Sequence, residues 1–239
     1  MNLQVCVPYE RCVYNCPMCV AKGHKHHYEF KNLYVEDKEE YGNKLRYIND
    51  YNREYFENVI ITGECDPTQN MGFVKYIIGM LKLWHKDELK IELQTHNYNV
   101  NVSELDDLDV LSYSITDSKA YLRSYKFPRL KDKTNRIVIL LTKEFAFLNK
   151  NNFEPMGFDQ VTFKTLQYGE DKEINKWIDE NKLEDLSNIY DIVNEYNGTD
   201  ISIRIDTSCQ NAKGRYKILR SDGKLYENWE SKESLEKEE

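Results

Sequence analysis

No run of apolar side chains in this 239-residue chain approaches the roughly 18 that a membrane-spanning helix needs. Its five prolines and ten glycines are too few, and too scattered, to form a linker or a low-complexity tract, so nothing in the composition divides the chain. Positive charge is also short: 33 Lys and Arg against 41 Asp and Glu leave a net charge of -8. That deficit argues against a nonspecific grip on nucleic acid, which depends on neutralising phosphates. There are no internal repeats. The start, MNLQVCVPYERC, lacks the basic segment, apolar core and small-residue cleavage site of an export signal, so a cytoplasmic location is expected, with no membrane partner.

With 40% hydrophobic and 31% charged residues, the chain suits one globular domain with enough material for a full core. Short β-branched runs alternate with longer stretches of helical period, which is the pattern of a parallel sheet built from βα units. The runs predict strands at 3–8, 58–62, 89–95, 110–116, 136–142, 160–166 and 201–205. Helices are expected over 35–55, 71–86, 118–125, 144–148 and 173–197. Residues 215–220 and 224–226 flank Ser221-Asp222-Gly223, a good hairpin turn, and the charged end after Trp229 should fray. Six βα units in about 200 residues are too few to close an eightfold barrel, which takes about 250. One basic stretch stands out, from Lys119 through Arg123, Lys126, Arg129, Lys131 and Lys133 to Arg136, with Asp132 alone opposing it. It reads as a solvated face or as a docking surface.

Three of the six cysteines, Cys12, Cys16 and Cys19, crowd into eight residues directly after the first predicted strand. The spacing is too tight for a disulfide framework and right for a metal. Two chemistries compete. A zinc site would recruit a fourth ligand, for which His24, His26 and His27 are at hand, and would make the chain a noncatalytic zinc-binding interaction protein. An iron-sulfur cube would take the three thiolates at three corners and leave the fourth iron open for another ligand.

The segment Cys12-Val13-Tyr14-Asn15-Cys16-Pro17-Met18-Cys19 resembles the cluster loop of the radical S-adenosyl-L-methionine enzymes. The resemblance implies an α/β fold, a partial (β/α)6 TIM-like barrel over residues 1–206. Residues 207–239 would add a small C-terminal β-hairpin appendage and a charged tail. It further implies a 4Fe-4S cluster on Cys12, Cys16 and Cys19. Its open iron would bind S-adenosylmethionine, and its electron would cleave that cofactor to a 5'-deoxyadenosyl radical. Met18 would pack near the adenine, at a position usually aromatic in the family. A reductant such as flavodoxin or ferredoxin would be needed.

The second strand runs into Thr62-Gly63-Glu64-Cys65-Asp66-Pro67-Thr68-Gln69-Asn70, which is similar to the family's G-G-E-P motif in either of two registers. In one, Gly63-Glu64 is the G-E pair and Glu64 is the carboxylate that meets the methionine ammonium. In the other, Asp66-Pro67 takes the place of E-P, with Gly63 and Asn70 also matching a ribosomal-RNA methyltransferase variant. His96 at the end of the third strand is a candidate acid or base. Ser114 and Thr116 share one face of the fourth strand and are candidates for the cofactor carboxylate or ribose, or with Asp117 and Ser118 for a helix cap.

Lys164, Gln167, Arg204, Asp206 and Cys209 are candidates for the substrate side. Cys209 resembles the cysteine that returns a hydrogen atom in some radical epimerases and in spore photoproduct lyase. Cys6, Cys65 and Cys209 are not grouped on a loop, and no auxiliary cluster is expected. The preferred reading is radical modification of a small-molecule or peptide substrate. The rival within the class is an activase that installs a glycyl radical on a partner enzyme.

Overall fold

Alternating side chains along each strand decide the architecture, because successive residues face opposite sides of a sheet. In the strand Lys90–Thr95 the buried Glu92 sits between Ile91 and Leu93, and in Val110–Ile115 the buried Ser112 sits between Leu111 and Tyr113. One face is therefore apolar and the other polar, although both are covered. The computed structural model describes residues 2–9, 12–14, 16, 38–47, 56–63, 65–86, 88–145, 154, 156–164, 172–181, 184–185, 202–206, 216–229 and 231–235.

The strands are β1 (Asn2–Cys6), β2 (Asn58–Thr62), β3 (Lys90–Thr95), β4 (Val110–Ile115), β5 (Thr134–Leu140) and β6 (Gln160–Lys164), followed by β7 (Glu184–Asp185), β8 (Ser202–Asp206), β9 (Tyr216–Leu219) and β10 (Leu225–Tyr226). They form one sheet in the order β10-β9-β1-β2-β3-β4-β5-β6-β8-β7. Pairing is parallel throughout except between β9 and β10. The run β1 to β6 in sequential parallel order requires a crossover connection between each pair of strands, and with open edges it makes the partial barrel expected from the sequence.

The helices among the described residues are α1 (Lys38–Arg46), α2 (Met71–His85), α3 (Ser118–Arg123) and α4 (Lys172–Asn181). Phe73, Val74, Ile77, Ile78 and Leu81 recur at helical spacing on α2 and are buried against the apolar face of the sheet. Each such side chain, fully buried, contributes about 1.5–3 kcal/mol. On α4, Trp177 packs on Phe163 of β6, ring centroids 4.8 Å apart.

Three outcomes differ from the sequence expectation. Of the helix expected over 173–197, the described part ends at Asn181; Glu184 and Asp185 instead pair in parallel with Arg204 and Ile205 of β8, an extended conformation that a continuing helix excludes, and residues 186–197 lie outside the described residues. The helix expected over 144–148 is a 3-10 turn, Lys143–Phe145, as far as it is described. The C-terminal hairpin is present, and its first strand also extends the main sheet: Asn2 to Val5 of β1 pair with Tyr216 to Leu219 of β9. A small second core, Cys6, Ile218 and Tyr226, seals this junction, and the Trp229 indole donates to Gln4 Oε1 at 2.7 Å.

Candidate functional site

The polar face of the sheet carries a buried charge network low on the strands. Arg136 Nη1 donates to Glu92 Oε2 at 2.9 Å, and Arg136 Nε and Nη2 donate to Gln160 Oε1 at 2.9 and 2.6 Å. Ser112 Oγ donates to Glu92 Oε1 at 2.6 Å. The register places Ser112, Arg136 and Gln160 side by side on β4, β5 and β6. The basic stretch of the sequence is thus not one surface: Arg136 is interior, Arg129 donates to the Met156 carbonyl at 2.5 Å, and Lys133 lies 3.6 Å from Asp109. Lys119, Arg123, Lys126 and Lys131 remain exposed.

At the carboxyl ends of the strands, Asp66 is the hub. Its Oδ1 accepts from Thr68 N at 3.0 Å, Thr68 Oγ1 at 2.6 Å and Thr95 Oγ1 at 2.9 Å. Its Oδ2 accepts from Thr95 Oγ1 at 3.0 Å and from His96 N at 2.5 Å. Asp66 therefore caps the 3-10 turn Pro67–Asn70 and ties the end of β2 to the end of β3. Asn70 plays a similar double part: its Oδ1 accepts from Phe73 N at the start of α2, and its Nδ2 donates to the Pro8 carbonyl just past β1. Gly63 lies where backbones crowd, since a Cβ there would stand 2.9 Å from the Cys65 carbonyl oxygen.

His96 lies at the same rim. Its Nε2 is 3.2 Å from Tyr98 Oη and 3.3 Å from Thr116 Oγ1, and its ring centroid is 5.3 Å from that of Tyr14 in the cysteine loop. Burial pushes its pKa below the usual histidine value, against the weaker opposing pull of the Asp66 and Asp117 charges. Tyr98 is held by stacking on Phe127, centroids 4.4 Å apart, and by donating to the Ser114 carbonyl at 2.8 Å. Burial, aided by the charges of Asp117 and Cys16, drives its hydroxyl pKa far up. Asp117 accepts from Ala120 N and caps α3.

Cys12 and Cys16 are half-buried thiols on one loop, neither of them in a disulfide. Burial first, then the charges of Asp66, Cys12 and Cys16, push the pKa of the Tyr14 hydroxyl upward. This all-sulfur, partly open donor set suits an iron-sulfur cluster or zinc. Among the described residues no group of three His, Cys, Asp or Glu is arranged to hold a metal. Cys19, Met18, Glu64, Gln167 and Cys209, and the zinc candidates His24, His26 and His27, lie outside the described residues. For Arg204 and Asp206 only the backbone of β8 is described.

The sheet thus brings Cys12, Cys16, Gly63, Asp66, His96, Ser114 and Thr116 to one end, with Lys164 ending β6 on the same side. Sequence reasoning did not single out Tyr14, Tyr98 or Gln69 as site residues. Tyr14 sits within the cysteine spacing itself, and Tyr98 lies two residues past His96, the one signal that marks each.

The architecture is that of a partial parallel β/α barrel with its polar site at the carboxyl rim. Native anSMEcpe, an anaerobic sulfatase-maturating enzyme of the radical S-adenosylmethionine class solved with bound AdoMet, matches it with a TM-score of 0.60 at 17% identity, over 95% of this chain and 74% of that one. The same enzyme solved with AdoMet and a Kp18Cys peptide matches with a TM-score of 0.59 at 16% identity, over 95% of this chain and 74% of that one. With AdoMet and a Cp18Cys peptide the TM-score is 0.59 at 16% identity, over 97% of this chain and 74% of that one. At these identities the likeness is one of fold. No family model and no curated protein matches the chain.

Proposed function

We propose that this chain is a radical S-adenosylmethionine enzyme that holds one four-iron, four-sulfur cluster through Cys12, Cys16 and Cys19. The observation that carries the reading is the position of the Cys12–Cys16 loop, which follows β1 and packs through Tyr14 on His96 at the rim of a sheet with this fold. When bound, the cluster and S-adenosylmethionine supply a 5'-deoxyadenosyl radical, and the protein supplies orientation and shelter from water.

The chain's own residues divide that work. Asp66 already accepts from four donor groups of the protein, which fills the roughly four lone-pair directions of a carboxylate. We therefore assign the ammonium of the cofactor to Glu64 and give Asp66 a positioning role. In this reading Gly63 borders the cofactor, and its lack of a side chain lets the chain turn closely past the Cys65 carbonyl and Val7 N. Ser114 and Thr116 offer hydroxyls on the same rim, and neutral His96 beside Thr116 offers a proton acceptor on the substrate side. Met18 packs against the adenine in this reading, and Cys209 returns a hydrogen atom to the product.

A peptide is the favoured substrate class, because two of the structures with this fold carry bound cysteine peptides. A second reading, an activase docking on a partner enzyme, is favoured by the exposed Leu122 and Tyr125 set among exposed Lys119, Arg123 and Lys126. A flavodoxin or ferredoxin serves as reductant in either case.

The test is anaerobic reconstitution with iron and sulfide, followed by dithionite and S-adenosylmethionine, with 5'-deoxyadenosine measured beside a Cys16→Ala control. Formation by the wild type alone supports the proposal. A protein that binds one zinc and no iron replaces it with the interaction-protein reading.

A further inference from the structure

The connection from β2 to α2 grips the cysteine loop at three backbone points. Asn70 Nδ2 donates to the Pro8 carbonyl at 2.9 Å, Cys65 Sγ donates to the Tyr9 carbonyl at 3.6 Å, and Val13 N donates to Gln69 Oε1 at 3.0 Å. The first two contacts lie before Cys12 and the third immediately after it. Gln69 is thus the described side chain of this connection that fixes the backbone between the first and second cysteines.

The contact at Val13 has no apolar support. Val13 is 72% exposed, so packing of its side chain does not hold the loop there. Gln69, in contrast, is anchored. Its own N–H donates to the Asp66 carbonyl at 3.1 Å within the capped 3-10 turn, and Asp66 is pinned to Thr95 of β3 and to His96 just beyond it. A continuous path therefore runs from the end of β3 through Asp66 and Gln69 to the peptide that follows Cys12. Tyr14, the next residue, meets His96 and closes the path into a ring of contacts.

We infer that Gln69 is a positioning residue that sets the conformation of the thiolate loop before a cluster is bound, by taking up the Val13 N–H. The inference rests on the cluster reading proposed above. Three thiolates on a free loop must be gathered at an entropic cost, and a loop already held on both sides of Cys12 has met part of it. Groups that orient ligands in this way change metal affinity by about tenfold or more when removed. The same N–H, engaged by Gln69, is withheld from the cluster sulfurs, whose potential responds to such hydrogen bonds.

Three variants separate this role from simple packing. Gln69→Met keeps the length and removes the acceptor, Gln69→Asn withdraws it by one methylene, and Gln69→Glu keeps an acceptor oxygen in reach. Each is reconstituted in the full chain. The measurements are iron release to a chelator, the electron paramagnetic resonance spectrum of the reduced cluster, and, in metal-free protein, hydrogen exchange at the Val13 amide.

The expected result is about tenfold faster iron release, an altered spectrum and faster Val13 exchange in the methionine and asparagine variants, with exchange and iron retention restored in the glutamate variant. Wild-type release and spectrum in both acceptor-poor variants would overturn the inference, as would equal impairment in all three. Should methionine prevent folding, the asparagine and glutamate pair decides alone. A folded wild type that takes up no iron overturns the cluster reading, and this inference with it, whatever the variants do.

Discussion

The rings of Tyr14 and His96 lie 5.3 Å apart and 59° from coplanar, so the cysteine loop and the end of β3 share one wall. The histidine in that wall is kept neutral mainly by burial. Its position between the loop, Tyr98 and Thr116 makes its protonation state a property of the whole rim.

His96 should titrate below the ordinary histidine value of about 6.5. Because the folded pKa is the lower one, the unfolded chain binds the proton first as pH falls. The His96 contribution to stability is complete above about pH 6.5 and is lost as pH falls through the folded pKa. Urea unfolding followed from pH 7.5 down to pH 5, on the order of the histidine range, should show the wild type losing stability faster than His96→Gln. Parallel profiles would remove burial as the cause.

Asp66→Asn should cost about 1–3 kcal/mol, because an amide nitrogen would replace one acceptor oxygen among donors that are already buried. The Asp66 charge also raises the His96 pKa, so its removal should move the His96 midpoint further down. Proton resonances of the imidazole report the direction, and an upward move would contradict it.

Arg136→Met leaves Glu92 charged and without its guanidinium inside the sheet, where the side chains of the pair are 4% and 0% exposed. Removing one partner of such a pair costs about 3–5 kcal/mol. The double variant Glu92→Met with Arg136→Met should recover much of that loss. Denaturant midpoints of the two single variants and the double variant measure the coupling, and additive losses would show that the pair does not interact.

Gly63→Ala should destabilise the protein by about 1–3 kcal/mol, as overpacking does. The added methyl would stand 2.9 Å from the Cys65 carbonyl oxygen and 3.4 Å from Val7 N, so the end of β2 must shift. Thermal unfolding gives the cost. Iron retention by the reconstituted variant shows whether the shift reaches the cysteine loop.

Much of the sheet was legible because its evidence is local. The β-branched runs at 58–62, 110–116 and 160–166 stand where β2, β4 and β6 do, and Asp117 caps the helix that follows β4. The cysteine loop announced itself by spacing.

The fate of Arg136 was hidden, since a basic stretch reads alike whether its last member faces water or Glu92, 44 residues away. Asp66 carried the same ambiguity. Its motif position suggests a cofactor contact, while its partner Thr95 lies 29 residues further on and leaves no mark near it. Gln69 was legible only as part of a turn, because the group that gives it meaning is a backbone N–H 56 residues earlier.

The pairing of β9 with β1 bears on the order in which the molecule is made. Asn2 to Val5, the strand that leads into the cysteines, acquires its outer neighbour from Tyr216 to Leu219, which leave the ribosome more than two hundred residues later. Until then β1 presents an open edge, and the small core of Cys6, Ile218 and Tyr226 does not exist. The strand that leads into the cysteines is thus among the last to be locked, since its outer neighbour is contributed by a segment so far along the chain.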